Sequence, residues 1–137
     1  MNTTTKTKID HGQENAKGWL SSIEEMVERL ETATKQDRDG GADETEASRR
    51  EIEESVLSVM VREGWHKPGG PSEDGAEEYE ILLTTGGPAL RIIGQLSEYY
   101  EPKSAELQYQ DWGTPWTRYP APEATLLAFA SVFYFGD

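Results

Sequence analysis

The sequence predicts an α+β fold in which an antiparallel meander of three to four strands packs against a buried C-terminal helix, preceded by one or two helices. Three observations predict this class. Apolar residues recur at helical spacing near the N-terminus, three later segments alternate between apolar and polar residues, and the last apolar segment has almost no polar face. The 137 residues are enough for one domain. We divide it into a disordered tail (1–12), an acidic helical region (13–55) and a core of sheet and C-terminal helix (56–137).

Two helices are predicted before the sheet, at 14–34 and 43–55. The apolar side of the first helix is formed at helical spacing by Trp19, Ile23, Val27 and Leu30. Gly40 and Gly41 interrupt the helical pattern and predict a loop between the helices. The second helix has a thin apolar face, so its own packing should be weak.

Residues 56–65 fit two structures. They either continue the second helix or form a strand, and the strand would turn one set of side chains inward: Leu57, Val59, Val61 and Trp65. The number of β-branched residues and the stop at Gly64 favour the strand.

Three alternating segments predict strands at 78–85, 89–96 and 104–112. Their inward positions hold Tyr79, Ile81, Leu83, Leu90, Ile92, Leu96, Ala105, Leu107 and Tyr109. The links between these strands are short, which predicts antiparallel neighbours. The intervening segment 113–122 is predicted to be a loop.

A final helix is predicted from Pro122 to Phe135. Proline suits the first helical position, and Gly136 suits the stop after the last one. Because this segment is apolar on nearly all sides, it must be buried. We expect it to cross the inner face of the sheet and to hold the fold together.

The chain is strongly acidic, with 26 Asp and Glu residues against 13 Lys and Arg and a formal net charge of −13. Such a charge repels DNA, RNA and anionic membranes, so we expect neither direct nucleic-acid binding nor membrane association. It favours the basic surface of a host protein or ribonucleoprotein as partner. The absence of cysteine excludes disulfides, zinc–thiolate sites, iron–sulfur clusters and thiol catalysis.

The N-terminal segment also bears on localisation. Its first 18 residues have no apolar core, so we expect no signal peptide. The longest apolar-rich run, 126–135, has about half the length of a membrane span. The expected compartment is the cytoplasm.

Catalytic constellations are weak. His11 falls in the predicted tail, and His66 has no serine near it with the surroundings of a nucleophile elbow. Asp111 is the carboxylate whose neighbour, Trp112, is typical of a tuned acid or base. The alternative for Asp111 is that it caps the turn that follows.

Phosphate and metal sites are equally weak. The glycine-rich segments 67–75 and 84–90 lack the spacings of phosphate-binding loops, and the second predicts a hairpin turn. Residues 37–44 contain alternating acids but lack the register of a calcium loop. We therefore expect no metal, no cofactor and no enzymatic activity.

Acidic residues are the most widely distributed candidate binding residues of the sequence. They are predicted to lie on helix faces and on the outer sheet face: Glu24, Glu28, Glu31, Glu51, Glu54, Glu78, Glu80 and Glu106. On a helix, a step of four residues rises about 6 Å, a spacing on the scale of neighbouring phosphates. These faces are either solvated surface or a nucleic-acid-mimicking site for a basic partner.

An aromatic loop follows the last predicted strand, where Asp111, Trp112 and Trp116 surround Gly113 and Pro115. Tryptophan is enriched at binding hot spots. The two rings either cover the edge of a small core, which we favour, or contact a partner.

Residues 56–137 resemble a group of small, acidic, mostly uncharacterised proteins that are encoded by phages and prophages of proteobacteria. The strings that carry the resemblance are GGPA with R and I (86–92) and Y-QDW-TPW (109–116), with VREGWHKPGG before them and LLAFASVFYFGD after them. Small acidic proteins of mobile elements are often inhibitors of host defence, anti-CRISPR proteins included. The resemblance therefore implies, by analogy, an inhibitor that acts in the bacterial host cytoplasm.

Three functions remain open. The first is a non-enzymatic inhibitor that binds a host nucleic-acid-handling complex through its acidic faces. The second is a small-molecule binder or enzyme with a pocket near Asp111, Trp112, Trp116 and His66. The third is a homo-oligomeric accessory phage protein, a homodimer for example, whose outer sheet faces pair through Met60, Leu82 and Ile93.

Overall fold

The computed structural model describes residues 11–36, 43–65, 67–69, 75–85 and 87–136. These residues form three helices and a five-stranded antiparallel sheet. In chain order the elements are α1 (His11–Gln36), α2 (Asp43–Ser55), β1 (Ser58–Glu63), β2 (Ala76–Thr84), β3 (Ala89–Gln95), β4 (Glu106–Gln110), β5 (Thr117–Tyr119) and α3 (Glu123–Ala130). The predicted α+β class is confirmed, and the sheet has one strand more than the four expected at most.

The sheet is a meander, because each strand pairs with the next strand along the chain. The apolar positions of the alternating segments are the positions that are buried in the sheet. Of the nine inward positions predicted in the three central strands, eight are buried and Tyr109 is half-buried. Short connections and period-two patterning were therefore sufficient to predict β2, β3, β4 and their neighbours in the sheet.

Strand β1 settles the ambiguity at 56–65 in favour of a strand, but three of the side chains expected inside are exposed. Leu57 and Val61 are exposed, and Trp65 stands fully in solvent beyond the end of β1. The reason is position: β1 is an edge of the sheet, and the principal helix contacts fall on β3 and β4.

Strand β5 corrects the prediction of a loop at 113–122. It comprises three residues that pair with β4, from Tyr109↔Thr117 to Leu107↔Tyr119. A three-residue strand between Pro115 and Pro120 is too short to show an alternating pattern. Its existence follows from the free edge of β4 rather than from its own sequence.

Helix α1 is longer than predicted, and residues 1–10 of the expected tail lie outside the described residues. His11 and Gly12 are helical, so the expectation of a disordered tail is wrong for these two. Gly12 is buried against β4, where an added Cβ would lie 2.8 Å from Cδ2 of Tyr109. A glycine lets the first turn of α1 approach the sheet this closely.

Helix α1 is also the main cover of the sheet. It contacts β3, β4, α2 and α3. Its buried residues are Gly12, Ala16, Ile23, Met26, Val27 and Ala33, and Trp19, Leu20 and Leu30 pack around them. The C-terminal helix contacts the sheet as expected, but the expectation that it is the main element holding the fold together is wrong, because α1 contacts more of the sheet.

Helix α3 is shorter than the predicted 122–135. Pro122 is the N-cap rather than the first helical residue, and the helix ends at Ala130 with Ser131 as C-cap, not at Gly136. The chain then continues without regular structure, with Val132 and Phe135 buried. The burial predicted for this segment holds for these residues and for Leu126 and Phe129, whereas Tyr134 is exposed.

A close approach between β3 and the segment before β4 depends on Gly94. A Cβ at this position would lie 1.9 Å from the carbonyl oxygen of Ser104. That oxygen accepts a hydrogen bond from the Tyr79 hydroxyl at 2.6 Å. Burial raises the pKa of Tyr79 well above its ordinary value, so the hydroxyl remains a proton donor at any physiological pH.

Two glycine-to-alanine substitutions should have opposite effects on stability. Gly94→Ala is expected to lower the free energy of unfolding by about 1–3 kcal/mol, because backbone rather than a flexible side chain blocks the new methyl group. Gly18→Ala, in the exposed interior of α1 with nothing within 4 Å, should raise it by about 1 kcal/mol. Urea unfolding of both variants checks the pair, and an unchanged midpoint for Gly94→Ala would contradict the close approach.

Candidate functional site

The exposed face of α1 carries the first group of predicted acidic residues. Glu24, Glu28 and Glu31 are exposed and lie along one flank of the buried face that contains Ile23 and Val27. None of the three carboxylates makes an ion pair with another described residue. We call these three residues the α1 stripe. Because α1 packs along the sheet, the stripe is held on a rigid support.

Helix α2 carries the second group, and its two members differ. Glu51 accepts two hydrogen bonds from Arg29 of α1, at 3.0 Å from Nε and 2.6 Å from Nη2. Its charge is therefore balanced, and the pair connects the two helices beside the α1 stripe. Glu54 is exposed and makes no ion pair with another described residue. Of the two acids predicted on α2, Glu54 is thus the one with an uncompensated charge.

The outer face of the sheet carries the third group, and there each acid has an arginine beside it. Arg62 on β1 pairs with Glu78 on β2. Arg91 on β3 lies 2.8 Å from Oε2 of Glu80. Arg118 on β5 lies 3.9 Å from Oε1 of Glu106. These cross-strand pairs follow from the register of the strands.

Gln108 completes this ladder of polar side chains. It stands opposite Arg91 and Arg118 in the sheet, accepts a hydrogen bond from Arg91 Nε at 2.9 Å, and donates one to Glu106 at 2.6 Å. With three acids and three arginines, the ladder is locally balanced. The outer sheet face therefore offers a basic partner much less net negative charge than its glutamates alone indicate.

The two tryptophans of the aromatic loop do not cover the edge of the core. Trp112 is 72% exposed, and Trp116 is half-buried on the outer sheet face, with the guanidinium of Arg91 4.1 Å from its ring centroid. Neither belongs to the hydrophobic core cluster. The favoured interpretation is wrong because the last turn before β5 directs Trp116 onto the arginine of β3.

Asp111 lies at the N-terminal end of α1. Its Oδ2 accepts a hydrogen bond from the backbone N–H of His11 at 3.2 Å, while Oδ1 is shielded from solvent and has no hydrogen-bond partner among the described residues. A carboxylate at this position complements the positive end of the helix. The alternative that the Asp111 carboxylate caps the following turn is wrong, because that turn is closed by the backbone of Asp111 with Thr114 while the carboxylate faces α1.

Two cavities in the described part of the chain lie away from the aromatic loop. A groove of about 750 Å³ lies beyond the end of β1, lined by Arg62, Glu63, Gly64, Trp65, Glu77, Glu78, Gln95, Leu96 and Lys103. A second, of about 250 Å³, lies on the outer face between β1 and β3. Neither is lined by Asp111, Trp112 or Trp116, and His66 lies outside the described residues. The pocket required by the second hypothesis is not formed by these cavities.

The structure also bears on the metal site, the membrane span and the glycine-rich segments considered from the sequence. Within the described residues, no three His, Asp or Glu side chains come together as a metal site, and no helix has the length and hydropathy to cross a membrane. The segment 84–90 connects β2 to its antiparallel neighbour β3, as the hairpin prediction required, with Gly86 outside the described residues. Most of 37–44 and of 67–75 also lies outside them.

The functional features that sequence analysis missed are the arginines. Arg91 lies between the inward-facing Leu90 and Ile92 and therefore on the outer face, but its partners could be identified only from the strand register. Arg29 lies within the helix that carries the α1 stripe, and its partner comes from α2. Glu and Arg at outward positions of adjacent strands were the available signal for the ladder.

Comparisons with protein-family models, with curated proteins and with solved structures find no match.

Removing the Asp111 carboxylate should loosen the start of α1. Asp111→Ala is expected to lower the free energy of unfolding by about 1 kcal/mol, the usual effect of losing a helix cap. Asp111→Asn retains a hydrogen-bond acceptor but loses the charge. Its free energy of unfolding should therefore lie between those of Asp111→Ala and the unmodified chain. Denaturant unfolding with amide hydrogen exchange near residue 12 checks this, and Glu98→Ala is the exposed control. Unchanged stability and exchange in Asp111→Ala would contradict the capping role.

Trp116→Ala should cost little stability. The loss of the cation–π contact with Arg91 is worth about 1 kcal/mol, whereas removal of a core tryptophan would cost about 3–5 kcal/mol. Trp112→Ala, at a more exposed ring, should change stability by at most about 0.5 kcal/mol. Urea unfolding of both variants distinguishes a Trp116 on the outer sheet face from a Trp116 in the core.

Proposed function

We propose that the protein is a non-enzymatic inhibitor whose α1 stripe binds a basic surface of a host nucleic-acid-handling protein or ribonucleoprotein. The observation that supports this most is that Glu24, Glu28 and Glu31 are exposed together and have no described ion-pair partner. The resemblance of residues 56–137 to phage and prophage proteins gives the context. In that context the protein acts in the bacterial host cytoplasm against a defence complex, as anti-CRISPR proteins do.

The spacing of the α1 stripe suits mimicry of nucleic acid. Glu24 and Glu28 are one helical step of four residues apart, which rises about 6 Å along the axis, and Glu31 follows three residues later. A basic surface that binds successive phosphates would thus find carboxylates at comparable intervals. Glu54 of α2 adds a further uncompensated charge in the helical region.

The rest of the molecule strengthens the field of the stripe. Helices α1 and α2 together carry 11 acidic and five basic residues, and the whole chain carries a net charge of −13. A charge of this size steers association with a basic partner and makes the rate of binding fall as salt is added. The balanced outer sheet face contributes less to this field than the helices do.

Neutralising the α1 stripe should separate charge from folding. The triple substitution Glu24→Gln, Glu28→Gln and Glu31→Gln is expected to change the free energy of unfolding by no more than about 0.5 kcal/mol per site, because all three positions are exposed. It should reduce capture of a basic partner from host lysate and flatten the salt dependence, mainly through a slower association rate. Pull-down at low and high salt, followed by stopped-flow binding to the captured partner, measures both effects.

Two controls make the result specific. Glu98→Gln with Glu101→Gln removes exposed acids from the β3–β4 connection and should have a smaller effect per charge. Double-stranded DNA or RNA should compete for the captured partner if its nucleic-acid site is the one occupied. The proposal fails if no basic partner is retained at low salt, or if the triple variant binds with unchanged rate and salt slope.

A further inference from the structure

The exposed apolar side chains of the described residues are concentrated at one edge of the sheet. Seven large hydrophobic residues are exposed, and four of them fall between residues 57 and 65: Leu57, Met60, Val61 and Trp65. Met60 is 60% exposed and Val61 is 44% exposed, on a strand whose second edge pairs with no described strand. Clusters of this kind mark interaction surfaces in soluble proteins.

The two edges of the sheet differ in a way that supports this. The β5 edge is protected: it has three residues, includes Arg118, and is flanked by Pro115 and Pro120. The β1 edge has six residues, no proline, and charges at its last two positions alone. Its apolar run, Val59 to Val61, places hydrophobic groups on both faces, which is typical of a strand that has neighbours on both sides.

The register with β2 assigns each residue of β1 to a face. Met60 stands opposite Glu80 and belongs to the outer face, together with Ser58 and Arg62. Val59 and Val61 stand opposite Ile81 and Tyr79 and belong to the inner face. Any strand that adds to the free edge must therefore offer an apolar group to each face around Met60.

A second copy of β1 meets this requirement. A two-fold axis perpendicular to the sheet keeps the faces in common, so each residue must stand opposite a residue of its own face. Centred on Met60, the antiparallel pairing sets Met60 against Met60, Val59 against Val61, and Ser58 against Arg62, with no like charges opposed. A pairing centred on Val61 would set Met60 against Arg62 and Val59 against Glu63. It is less favourable because each of these pairs places an apolar side chain opposite a charged one.

We propose that two copies of the chain associate through their β1 edges in an antiparallel pairing centred on Met60, forming a continuous ten-stranded sheet. Leu57 and Trp65 extend the apolar contact beyond the strand. The contact is small, so association should be weak, with a dissociation constant on the order of micromolar or higher. The net charge of −13 on each copy opposes it, and salt should therefore strengthen the dimer.

Charge substitutions at Met60 provide a sharp test of both the edge and the register. Met60→Lys and Met60→Glu each place like charges face to face at the two-fold axis, so each variant alone should be monomeric. An equimolar mixture of the two should form a heterodimer, because the charges are then opposite. Sedimentation velocity from micromolar to submillimolar protein measures the populations at about 0.15 M salt, where the Debye length of about 8 Å exceeds the separation of facing side chains. The unmodified chain is also measured at roughly 1 M salt, where its net charge is screened beyond about 3 Å.

The control is Tyr99→Lys, which adds a charge at an exposed apolar residue of the β3–β4 connection and should dimerise as the unmodified chain does. Circular dichroism and urea unfolding establish that the Met60 variants are folded. The proposal is overturned if the unmodified chain is monomeric throughout, if either Met60 variant alone still dimerises, or if the mixture of variants stays monomeric.

This inference does not depend on the function proposed for the α1 stripe. Dimerisation should increase with salt and respond to Met60, whereas binding to a basic partner should decrease with salt and respond to the glutamates of α1. The Met60→Lys and Met60→Glu variants should therefore still capture a basic partner although they do not dimerise. A failure of dimerisation is thus distinguished from a failure of partner binding.

Discussion

The limited coverage of the sheet by its helices is the constraint on which most of this structure depends. Five strands spaced about 4.8 Å apart are wider than one helix, whose diameter with side chains is about 10 Å. Helix α1 lies on β3 and β4, and α3 adds contacts to β4. The core is consequently thickest beneath these strands, and burial decreases toward β1, where Val61 and Leu57 reach solvent.

Helix α1 carries two surfaces, an apolar one that forms part of the core and an acidic one that binds a partner under the proposed function. Its inner side supplies Ile23, Met26 and Val27 to the core, and an exposed flank beside it presents Glu24, Glu28 and Glu31. Because one rigid element carries both, the positions of the carboxylates are fixed by the same packing that stabilises the fold. Rigid presentation lowers the ordering entropy that association costs, which a flexible acidic tail could not achieve.

Sequence patterning was sufficient for the features that depend on local periodicity. The strands β2, β3 and β4, the helices α1 and α2, and the exposure of the α1 stripe followed from apolar spacing. Apolar spacing did not predict three other features: the end of α3 at Ala130, the three residues of β5 and the position of Trp116. These features depend on which surfaces remain free after the sheet has formed. Pairing of arginine with glutamate across strands required the register, which single segments do not contain.

The hydrogen bond from His11 to Asp111 joins residues 100 positions apart, and Arg49 donates to the carbonyl oxygen of Val132 across a comparable separation. Helices α1 and α2 are thus completed by groups that are synthesised much later than the helices themselves. During translation, α1 can form helical turns early, but its apolar side has no sheet to cover until β3 and β4 have left the ribosome. The many distant contacts predict comparatively slow folding for a chain of this size, and a period in which the nascent helices need protection from other apolar surfaces.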